Sequence, residues 1–526
     1  MPGRQTRKPR KLGEKNGDAT AAPPSEDALS EDLNENLSRL SGLLGKSPDI
    51  VMRRFIVDVQ AGLEAAIVFV DGLVDKETIN SHVLRPLMIN LYNCPHGPQP
   101  LDLAWIEEHL VTVNDTKRNS SFAEAVDTVL NGDTLLLLQG YAETLQIASK
   151  GWDKREISEP DAEVIVKGPR EGFIENLRTN TALLRRKIRH PDLTFEKKRI
   201  GRKTRTDVCL AYIRGIARED LVTEVRRRLD RIDTDSILST AYLAQFIEDA
   251  AFSIFSTTTY TERPDVAAAK ILEGRAAIMI NGSPVVYTVP TLFMESFQSP
   301  DDYNFRPLYA TFIRWTRFLA FALTVFLPAL FVALTTFNQE LIPTPLLINI
   351  AAASDATPFP AVLEVVGMGV IFEILREAGV RIPRSFGPAV SIVGGLVIGE
   401  AAVGAGLIGQ PTVIVVALTA ITSYVVPLQI EASAFLRLGM AIVAGAFGLF
   451  GILQCALLIL IHLASLRSFG VPYLSPLAPL QLGDLKDTLV RVPHWAMLTR
   501  PRSLEPEDTA RQKPGARPHP PKEGKK

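Results

Sequence analysis

The chain has 526 residues, of which 46% are hydrophobic and 22% are charged. Its formal net charge is −1, so bulk electrostatics point away from nucleic acid and other highly charged partners. Residues 318–466 carry few charges, whereas both flanks are charged throughout, which is typical of a membrane protein with soluble flanks. The three cysteines, Cys94, Cys209 and Cys455, match no metal or redox spacing and are expected to be buried spectator thiols.

The sequence patterns described below predict an α+β cytoplasmic domain made of two repeated α/β subdomains, followed by an α-helical multi-pass membrane domain. Basic and polar residues open the chain without the apolar run of a secretory signal. The predicted parts, in chain order, are a disordered tail (1–30), the first α/β subdomain (31–160), a basic helix and linker (161–204), the second α/β subdomain (205–313), a membrane domain of four to five helices (314–466), a C-terminal segment (467–498) and a disordered tail (499–526).

The soluble part contains an internal repeat. Residues 66–88 resemble residues 210–232, because each stretch is an apolar strand, a turn with glycine and a helix-like segment. Residues 124–147 parallel residues 265–289 in the same way, with a helix ended by glycine and two short strands around another glycine. We therefore expect two copies of one subdomain with the same strand order. Neither copy carries a catalytic signature, so the sequence predicts no enzyme, no cofactor and no metal site.

A strongly basic stretch lies between the two copies. Residues 185–205 hold ten lysines and arginines against two acidic residues. The stretch is interpreted either as a solvated helix with a linker or as a contact with anionic lipid heads or an acidic partner. Arg185, Arg186 and Lys187 are the candidate contact residues under the second interpretation.

Five apolar segments follow. They are Phe318–Phe337, Phe359–Gly379, Phe386–Gly409, Pro411–Ile430 and Leu438–Leu463. The first is free of charge over about 20 positions, which is enough to cross the hydrocarbon core of a bilayer. The triplet Gly409-Gln410-Pro411 breaks the pattern, and it predicts that the third and fourth segments form a tight hairpin.

The charges beside these segments predict their orientation. Because the long N-terminal domain has no export signal, it is expected to stay in the cytoplasm, and the basic turn Arg376–Arg384 is expected on the same side. The weakly charged loop Asn338–Pro358 is then external. A fifth full span would place the basic C-terminal tail outside, so either one segment does not fully cross or the tail is external.

Carboxylates interrupt the apolar segments. Glu400 lies within "GGLVIGEAAVGAG", and a charge at the middle of a membrane costs at least about 2.5–3.5 kcal/mol on insertion scales. Glu400 is interpreted as hydrogen-bonded helix glue, as the lining of an ion path, or as an interfacial group. Glu364 is a second candidate for the ion path. Glu373 and Arg376 are candidate contacts at the membrane interface, where Glu373 is expected to pair with Arg376 or Arg381.

Glycines surround Glu400. Gly395 and Gly399 form a small-xxx-small pair that permits close contact between helices, and they are assigned with Glu400 to the candidate ion path. Gly394, Gly404 and Gly406 are candidates for helix packing.

Four long motifs resemble the A subunit of GerA-type spore germination receptors. They are residues 168–193, 261–290, 372–383 and 391–406, and the resemblance covers roughly residues 30–498. It implies a multi-pass protein of the spore inner membrane that works with a transporter-like B subunit and a lipoprotein C subunit. It further implies that nutrient binding belongs mainly to the B subunit. The A subunit is implied to form a homo-oligomeric ring among membrane lipids that conducts ions when a germinant is sensed.

Other functions stay open beside this one. A sister branch of the family, associated with the SpoVA channel for dipicolinic acid, shares the same motifs. A non-conducting scaffold, whose helices assemble the complex while partners transport, fits the same segments. A secondary transporter is disfavoured, because a matched pair of broken helices in two halves is not evident.

Overall fold

The structure is a computed structural model that describes residues 27–45, 47–58, 62–90, 102–151, 160, 163, 165–355, 357–381 and 397–518. The chain divides into two compact units. One comprises Met1–Gly42, Ile50–Val70 and Val74–Gly151, and the other comprises Leu43–Asp49, Asp71–Leu73 and Trp152–Lys526.

The first unit is built on a five-stranded antiparallel sheet with the strand order β1-β2-β4-β5-β3. The strands are β1 (Ile50–Asp58), β2 (Leu63–Val70), β3 (Thr116–Asn119), β4 (Thr134–Leu138) and β5 (Thr144–Ile147). The helices of this part of the chain are α1 (Leu33–Leu44), α2 (Lys76–Ile79), α3 (Leu103–His109) and α4 (Phe122–Leu130), with π-helical turns over Asn80–Leu84 and Pro86–Asn90. Apolar residues from the sheet, α2, α3 and the π-helical turns form one core.

The second unit contains another five-stranded antiparallel sheet, with the order β6-β7-β9-β10-β8. Its strands are β6 (Leu193–Ile200), β7 (Thr206–Ile213), β8 (Thr259–Thr261), β9 (Ala276–Ile280) and β10 (Val286–Val289), and its helices are α5 (Leu177–Lys187), α6 (Glu219–Asp230), α7 (Thr240–Ile247) and α8 (Pro264–Leu272). Side chains alternate along a strand. In β7, Val208 and Leu210 therefore pack with α6 and α7, whereas Cys209 and Ala211 pack with α5 and α8. The sheet is the middle layer of three.

The two sheets have the same topology. The strand order of the second sheet repeats that of the first, strand for strand. The register also repeats, since Ile50 pairs with Val70 and Leu193 pairs with Ile213, each position being displaced by 143 residues. The predicted repeat with a common strand order is thus confirmed.

The repeat starts earlier in the chain than the sequence indicated. Asn36 of α1 and Asn180 of α5 are both buried, and each exchanges two hydrogen bonds with the backbone of the residue six positions before it. Because α5 and β6 belong to the second sheet's layers, residues 177–200 are not the helix and linker that the sequence predicted. They are the first helix and edge strand of the second copy.

Apolar helices follow the second sheet. They are α9 (Pro307–Thr336), α10 (Thr344–Asp355), α11 (Ala361–Arg381), α12 (397–404), α13 (Gln410–Ser423) and α14 (Ile430–Ser465). By length and apolar composition, two helical stretches of the described chain are able to cross a membrane. These are Pro307–Thr336, with mean hydropathy 2.4, and Pro427–Ser465, with mean hydropathy 2.3; α13 is apolar but shorter.

The helix α14 is folded back on itself at Gly448. This residue has φ 59° and ψ −146°, which is outside the helical range. A Cβ atom placed on Gly451 would lie 2.9 Å from the carbonyl oxygen of Val443, although eight residues of continuous helix span about 12 Å. Leu436 and Ile459 likewise pack with Phe321 in shared clusters, although about 35 Å of straight helix would separate them. Residues 430–447 and 449–465 are therefore two antiparallel arms.

Both ends of this hairpin contact the second sheet's side of the molecule. Gln429, just before the first arm, donates to the Ser296 hydroxyl at 2.7 Å. His462, near the end of the second arm, lies 2.9 Å from the Ser253 hydroxyl. The segment predicted as one fifth span, Leu438–Leu463, is thus wrong as a single crossing, because Gly448 reverses the chain within it. The alternative that placed the C-terminal tail on the side opposite the N-terminal domain is also wrong, because the chain returns to the second subdomain after the hairpin.

The C-terminal segment packs on the second subdomain. Arg500 donates to the carbonyl oxygen of Leu272 at 2.8 Å, and the Glu507 amide donates to that of Ile216 at 3.1 Å. The sequence predicted a disordered tail over 499–526, but residues 499–518 are held by these contacts.

We expect Gly448→Ala to lower the melting temperature of the detergent-solubilised chain. The φ/ψ values of Gly448 belong to a region open essentially to glycine, and the strain costs about 1–3 kcal/mol. The added Cβ would also lie 2.9 Å from the Cβ of Phe337. Gly439→Ala is the matched control, because this glycine of the same helix has no atom within 4 Å of its Cβ position. Equal melting temperatures for the two variants would contradict the reversal at Gly448.

Candidate functional site

The carboxylate of Glu364 on α11 caps the beginning of α13. The residue is 6% exposed, and its Oε2 accepts hydrogen bonds from the Gly409 amide at 3.1 Å and the Thr412 hydroxyl at 2.7 Å. The first amides of a helix lack partners within that helix, and a negative charge is favoured there. Since the N-cap residue, Gly409, has no side chain, a carboxylate from another helix does this work. Glu364 is thereby used within the chain, not on an exposed path.

The carboxylate of Glu373 is also satisfied within the chain. It pairs with Arg437 on the first arm of α14, whose side chain is 5% exposed, and with Arg376 one turn further along α11. The Arg437 guanidinium also lies over the Phe372 ring, 5.4 Å from its centroid. The sequence predicted the Arg376 partner. It missed Arg437, which is 64 residues away and adjacent only because α14 begins beside the end of α11.

The side chain of Glu400 on α12 differs from the other two. It is exposed, and within the described part of the chain nothing hydrogen-bonds or ion-pairs with it. The preceding residue, Gly399, is buried, and a Cβ there would lie 3.6 Å from the side chain of Val413 on α13. Since successive helical residues point about 100° apart, Gly399 faces α13 while Glu400 points to the side of that contact.

Of the remaining glycines near Glu400, the structure describes Gly404 and Gly406. Gly404 has no atom within 4 Å of its Cβ position. Gly406, with φ +67°, ends α12: its amide donates to the carbonyl of Val403 and the next amide donates to that of Ala402. This is a Schellman motif, which favours glycine because its backbone is left-handed. Gly394 and Gly395 lie outside the described residues.

The basic candidates on α5 are paired with the chain's own carboxylates. Arg185 is 1% exposed and donates to both oxygens of Asp49, at 3.0 and 3.1 Å. Arg186 and Lys187 share Glu171, at 2.9 and 2.7 Å. The predicted lipid or partner contact is therefore wrong for Arg185, because a buried side chain in a bidentate pair has no surface to offer.

A buried ionic junction joins the base of α9 to the second subdomain. Asp302 and Arg314 are both fully buried, with the Arg314 Nε donating to Asp302 at 3.2 Å. Arg317 donates to both oxygens of the same carboxylate, at 2.8 and 2.9 Å. The two arginines lie one turn apart, so they reach the same side of α9. One carboxylate thus holds the first turns of α9 against the subdomain.

The C-terminal segment completes this junction. Arg314 also donates to the carbonyl oxygens of Asp487 and Thr488, and the Tyr303 hydroxyl donates to the Asp487 carboxylate at 3.0 Å. Burial raises the pKa of the Asp487 carboxyl above its ordinary value, although Arg314 and the Tyr303 hydroxyl oppose the shift. Burial also raises the pKa of Tyr303 well above its ordinary value, with Asp487 adding to the effect.

This junction was missed in the sequence, which indicated only that Arg314 and Arg317 flank a span. Their partners come from positions 302 and 487, and nothing in the sequence pairs these residues with the two arginines.

Among the described residues, no group of histidine, cysteine and acidic side chains is arranged to hold a metal ion. The arrangement joins the second subdomain to the apolar helices through buried ion pairs, and it leaves the exposed Glu400 without a partner among the described residues.

Comparison with known proteins gives the family. Residues 38–503 match the family model described as Bacillus/Clostridium GerA spore germination protein. The chain belongs to this family. Spore germination protein KA of Bacillus subtilis (strain 168) is 43% identical over 496 residues, which is 94% of this chain and 90% of that protein. The uncharacterized membrane protein YfkQ of the same strain is 39% identical, over 90% of this chain and 91% of that protein.

A solved structure is also similar to this GerA-family chain. It is the crystal structure of the N-terminal domain of the A subunit of the Bacillus megaterium spore germinant receptor GerK3. The identity is 37%, and the match covers 51% of this chain and 97% of that chain with a TM-score of 0.41.

Two of the motifs that carried the GerA resemblance meet in the fold. Arg263, in the "TERPD" sequence before α8, is fully buried and donates to the carbonyl oxygen of Pro169 at 2.7 Å and to Asp265 at 2.8 Å. Pro169 belongs to the motif that precedes α5. The arginine therefore ties the two motifs together, and its role within the chain is structural.

We expect Glu364→Ala to reduce the free energy of unfolding by about 1–3 kcal/mol, because the Gly409 amide and the Thr412 hydroxyl lose their acceptor. Glu364→Gln keeps a carbonyl acceptor and should cost less. Thermal denaturation in detergent measures both, with the exposed Glu340→Ala as the matched control. If Glu364→Gln leaves the stability unchanged but lowers potassium flux, capping of α13 does not explain the role of Glu364. The result would then place Glu364 on the ion path.

Proposed function

We propose that the chain is an A-type subunit of a nutrient germinant receptor in the spore inner membrane. In this proposal several copies form a ring, and the ring conducts cations when a germinant is sensed. Membership of the GerA family supports a role in spore germination. The fold adds the apolar helix α9, which is long enough to cross a membrane, and the apolar hairpin of α14. Buried ion pairs join α9 to the soluble part.

The unpaired carboxylate of Glu400 is the observation that carries the pore. Glu364 and Glu373 lie in apolar helices too, but each is satisfied within the chain. Glu400 is exposed on a helix whose other side is packed. A carboxylate facing lipid is costly, so such a group is expected to face water or another subunit. A ring would bring one copy from each subunit into a circle of carboxylates, which is how many cation pores attract cations.

The arrangement of the helices supports a multi-pass protein with its soluble domain in the cytoplasm. The second subdomain, the base of α9 and both ends of the α14 hairpin lie on one side. Arg376 and Arg437 mark the end of α11 on that side, where their shared partner is Glu373. Positive residues favour the cytoplasmic face, which agrees with the orientation predicted from the sequence.

The proposed partners follow from the family. A transporter-like B subunit would bind the nutrient, and a lipoprotein C subunit would complete the receptor. The A subunit would then receive the signal through its partners. Its ionic junction at Asp302 and Arg314 would transmit movement of the soluble domain to α9.

A second candidate function is a non-conducting scaffold. The exposed α12 face would then be covered by a partner helix, and Glu400 would act as hydrogen-bonded glue. The related subunit that acts with the dipicolinic acid channel is a variant of the same proposal with a different partner. Germination of a deletion strain, measured once with nutrients and once with dipicolinic acid, distinguishes a receptor subunit from a subunit that acts with the dipicolinic acid channel.

Substitution of Glu400 separates the pore from the scaffold. Glu400→Gln keeps size and hydrogen bonding but removes the charge, so we expect slower potassium release during nutrient-triggered germination at normal receptor abundance. Glu340→Gln, at an exposed position before α10, is the control and should leave release unchanged. Wild-type release from Glu400→Gln spores, together with loss of assembly in Glu400→Leu spores, would favour the scaffold and refute the pore.

A further inference from the structure

A tight turn at residues 250–253 presents one aromatic side chain to the surroundings. The Ser253 amide donates to the carbonyl oxygen of Ala250 at 3.0 Å, which closes a four-residue turn. Phe252 lies at the tip and is fully exposed. Ile254, just after the turn, is 38% exposed. A loop in water seldom carries a large aromatic residue at its tip without a partner, since exposed turns favour polar residues and glycine.

The turn lies beside the end of an apolar helix. The Ser253 hydroxyl is 2.9 Å from the Nε2 of His462, and the centroid of the Phe255 ring lies 6.1 Å from that of the same imidazole, with the two rings tilted. His462 marks the place where the apolar run of the second α14 arm stops, because residues 454–461 before it carry no charge. The turn is thus fixed at the level where this arm would leave the hydrocarbon core.

A second helix gives the same level. Ile459, one turn before His462, packs in a cluster with Phe318. Trp315, one turn before Phe318, is 52% exposed, and its ring lies 5.9 Å from that of Phe318. Tryptophan is enriched at the boundary between membrane and water. The two helices and the turn therefore mark one plane.

The charged groups near the turn are of both signs. Asp249 is paired with Arg228 at 2.6 Å, and Glu248 accepts hydrogen bonds from the Ser256 and Thr258 hydroxyls. The exposed residue that follows the second arm is basic, Arg467. A membrane surface would meet an aromatic tip beside one ion-paired acid, with the exposed Arg467 and Glu431 at the ends of the two α14 arms.

We infer that the turn 250–253 inserts Phe252 into the interface of the bilayer and so fastens the second subdomain to the membrane surface. The occupant is lipid, at the boundary between headgroups and acyl chains. The inference rests on the proposed placement of α9 and α14 in a membrane, and it adds a contact between soluble domain and lipid that the spans themselves do not require.

Fluorescence quenching in vesicles tests this contact. The full chain carries Phe252→Cys, with Cys94 and Cys455 replaced by alanine; Cys209 is buried, and burial raises the pKa of its thiol to about 12, so it does not react. An environment-sensitive nitrobenzoxadiazole label is attached, and the chain is reconstituted in vesicles of phosphatidylcholine and phosphatidylglycerol. The quenchers are spin-labelled lipids and aqueous iodide. Leu238→Cys, before α7, is the matched soluble control at an exposed apolar position, and Leu458→Cys is the membrane control.

The label at position 252 should be quenched by lipids carrying a shallow spin label and protected from iodide, whereas the label at 238 should show the reverse. Quenching by iodide at 252 would overturn the inference, and so would protection from both quenchers, which would indicate cover by a second copy or another protein. If position 458 also escapes lipid quenching, the membrane placement fails and the inference fails with it. Failure at position 252 alone leaves the proposed function standing.

Discussion

The structure of the apolar half depends on one constraint, which is that a carboxylate among apolar helices needs a partner. Removing such a group from water without compensation costs several kcal/mol. Glu364 meets the constraint with the orphan amide and hydroxyl at the start of α13. Glu373 meets it with Arg437 and Arg376. These two solutions fix how α11 packs against α13 and α14. Glu400 has no hydrogen-bond or ion-pair partner within the described chain. The proposed function centres on Glu400 because of this difference.

The same constraint explains how the soluble and apolar parts are joined. Arg314 and Arg317 would be costly inside a bilayer, yet both lie on α9 close to its apolar stretch. Their shared partner, Asp302, is fully buried, and Asp487 reaches the same arginine from the C-terminal segment. Breaking one side of a buried pair is strongly destabilising, by about 3–5 kcal/mol. The base of α9 therefore moves with the subdomain, and a signal that tilts the subdomain would tilt the helix.

The sequence predicted most of the fold that depends on local patterns. The repeat was visible because strand periodicity and turn glycines recur at nearly the same spacing, and the structure shows one strand order in both copies. Weakly patterned parts were missed. Four of the eight residues of β6 are charged, three basic and one acidic, so its sequence did not indicate a strand. The fold-back at Gly448 was missed as well, because a glycine within an apolar run does not reveal its φ value.

The candidate site was less predictable than the fold. Sequence reasoning selected carboxylates in the apolar runs because charges there are conspicuous, but it could not say which of them have partners within the chain. Arg437 and Thr412 become partners of the two glutamates only after the helices pack, and Arg185 is paired with Asp49, which lies 136 residues away in the sequence. The sequence shows which charged residues are present, whereas their burial and distances in the fold show which of them are paired.

Conductance of the purified chain is the most direct test of the account. The chain is reconstituted alone into liposomes loaded with potassium, and efflux is measured for the wild type and for Glu400→Gln at equal protein density. We predict potassium efflux from wild-type vesicles and a clear reduction with Glu400→Gln, because the unpaired carboxylate would line the cation path. Assembled wild-type oligomers that release no potassium, or efflux that is unchanged by the substitution, would contradict the account.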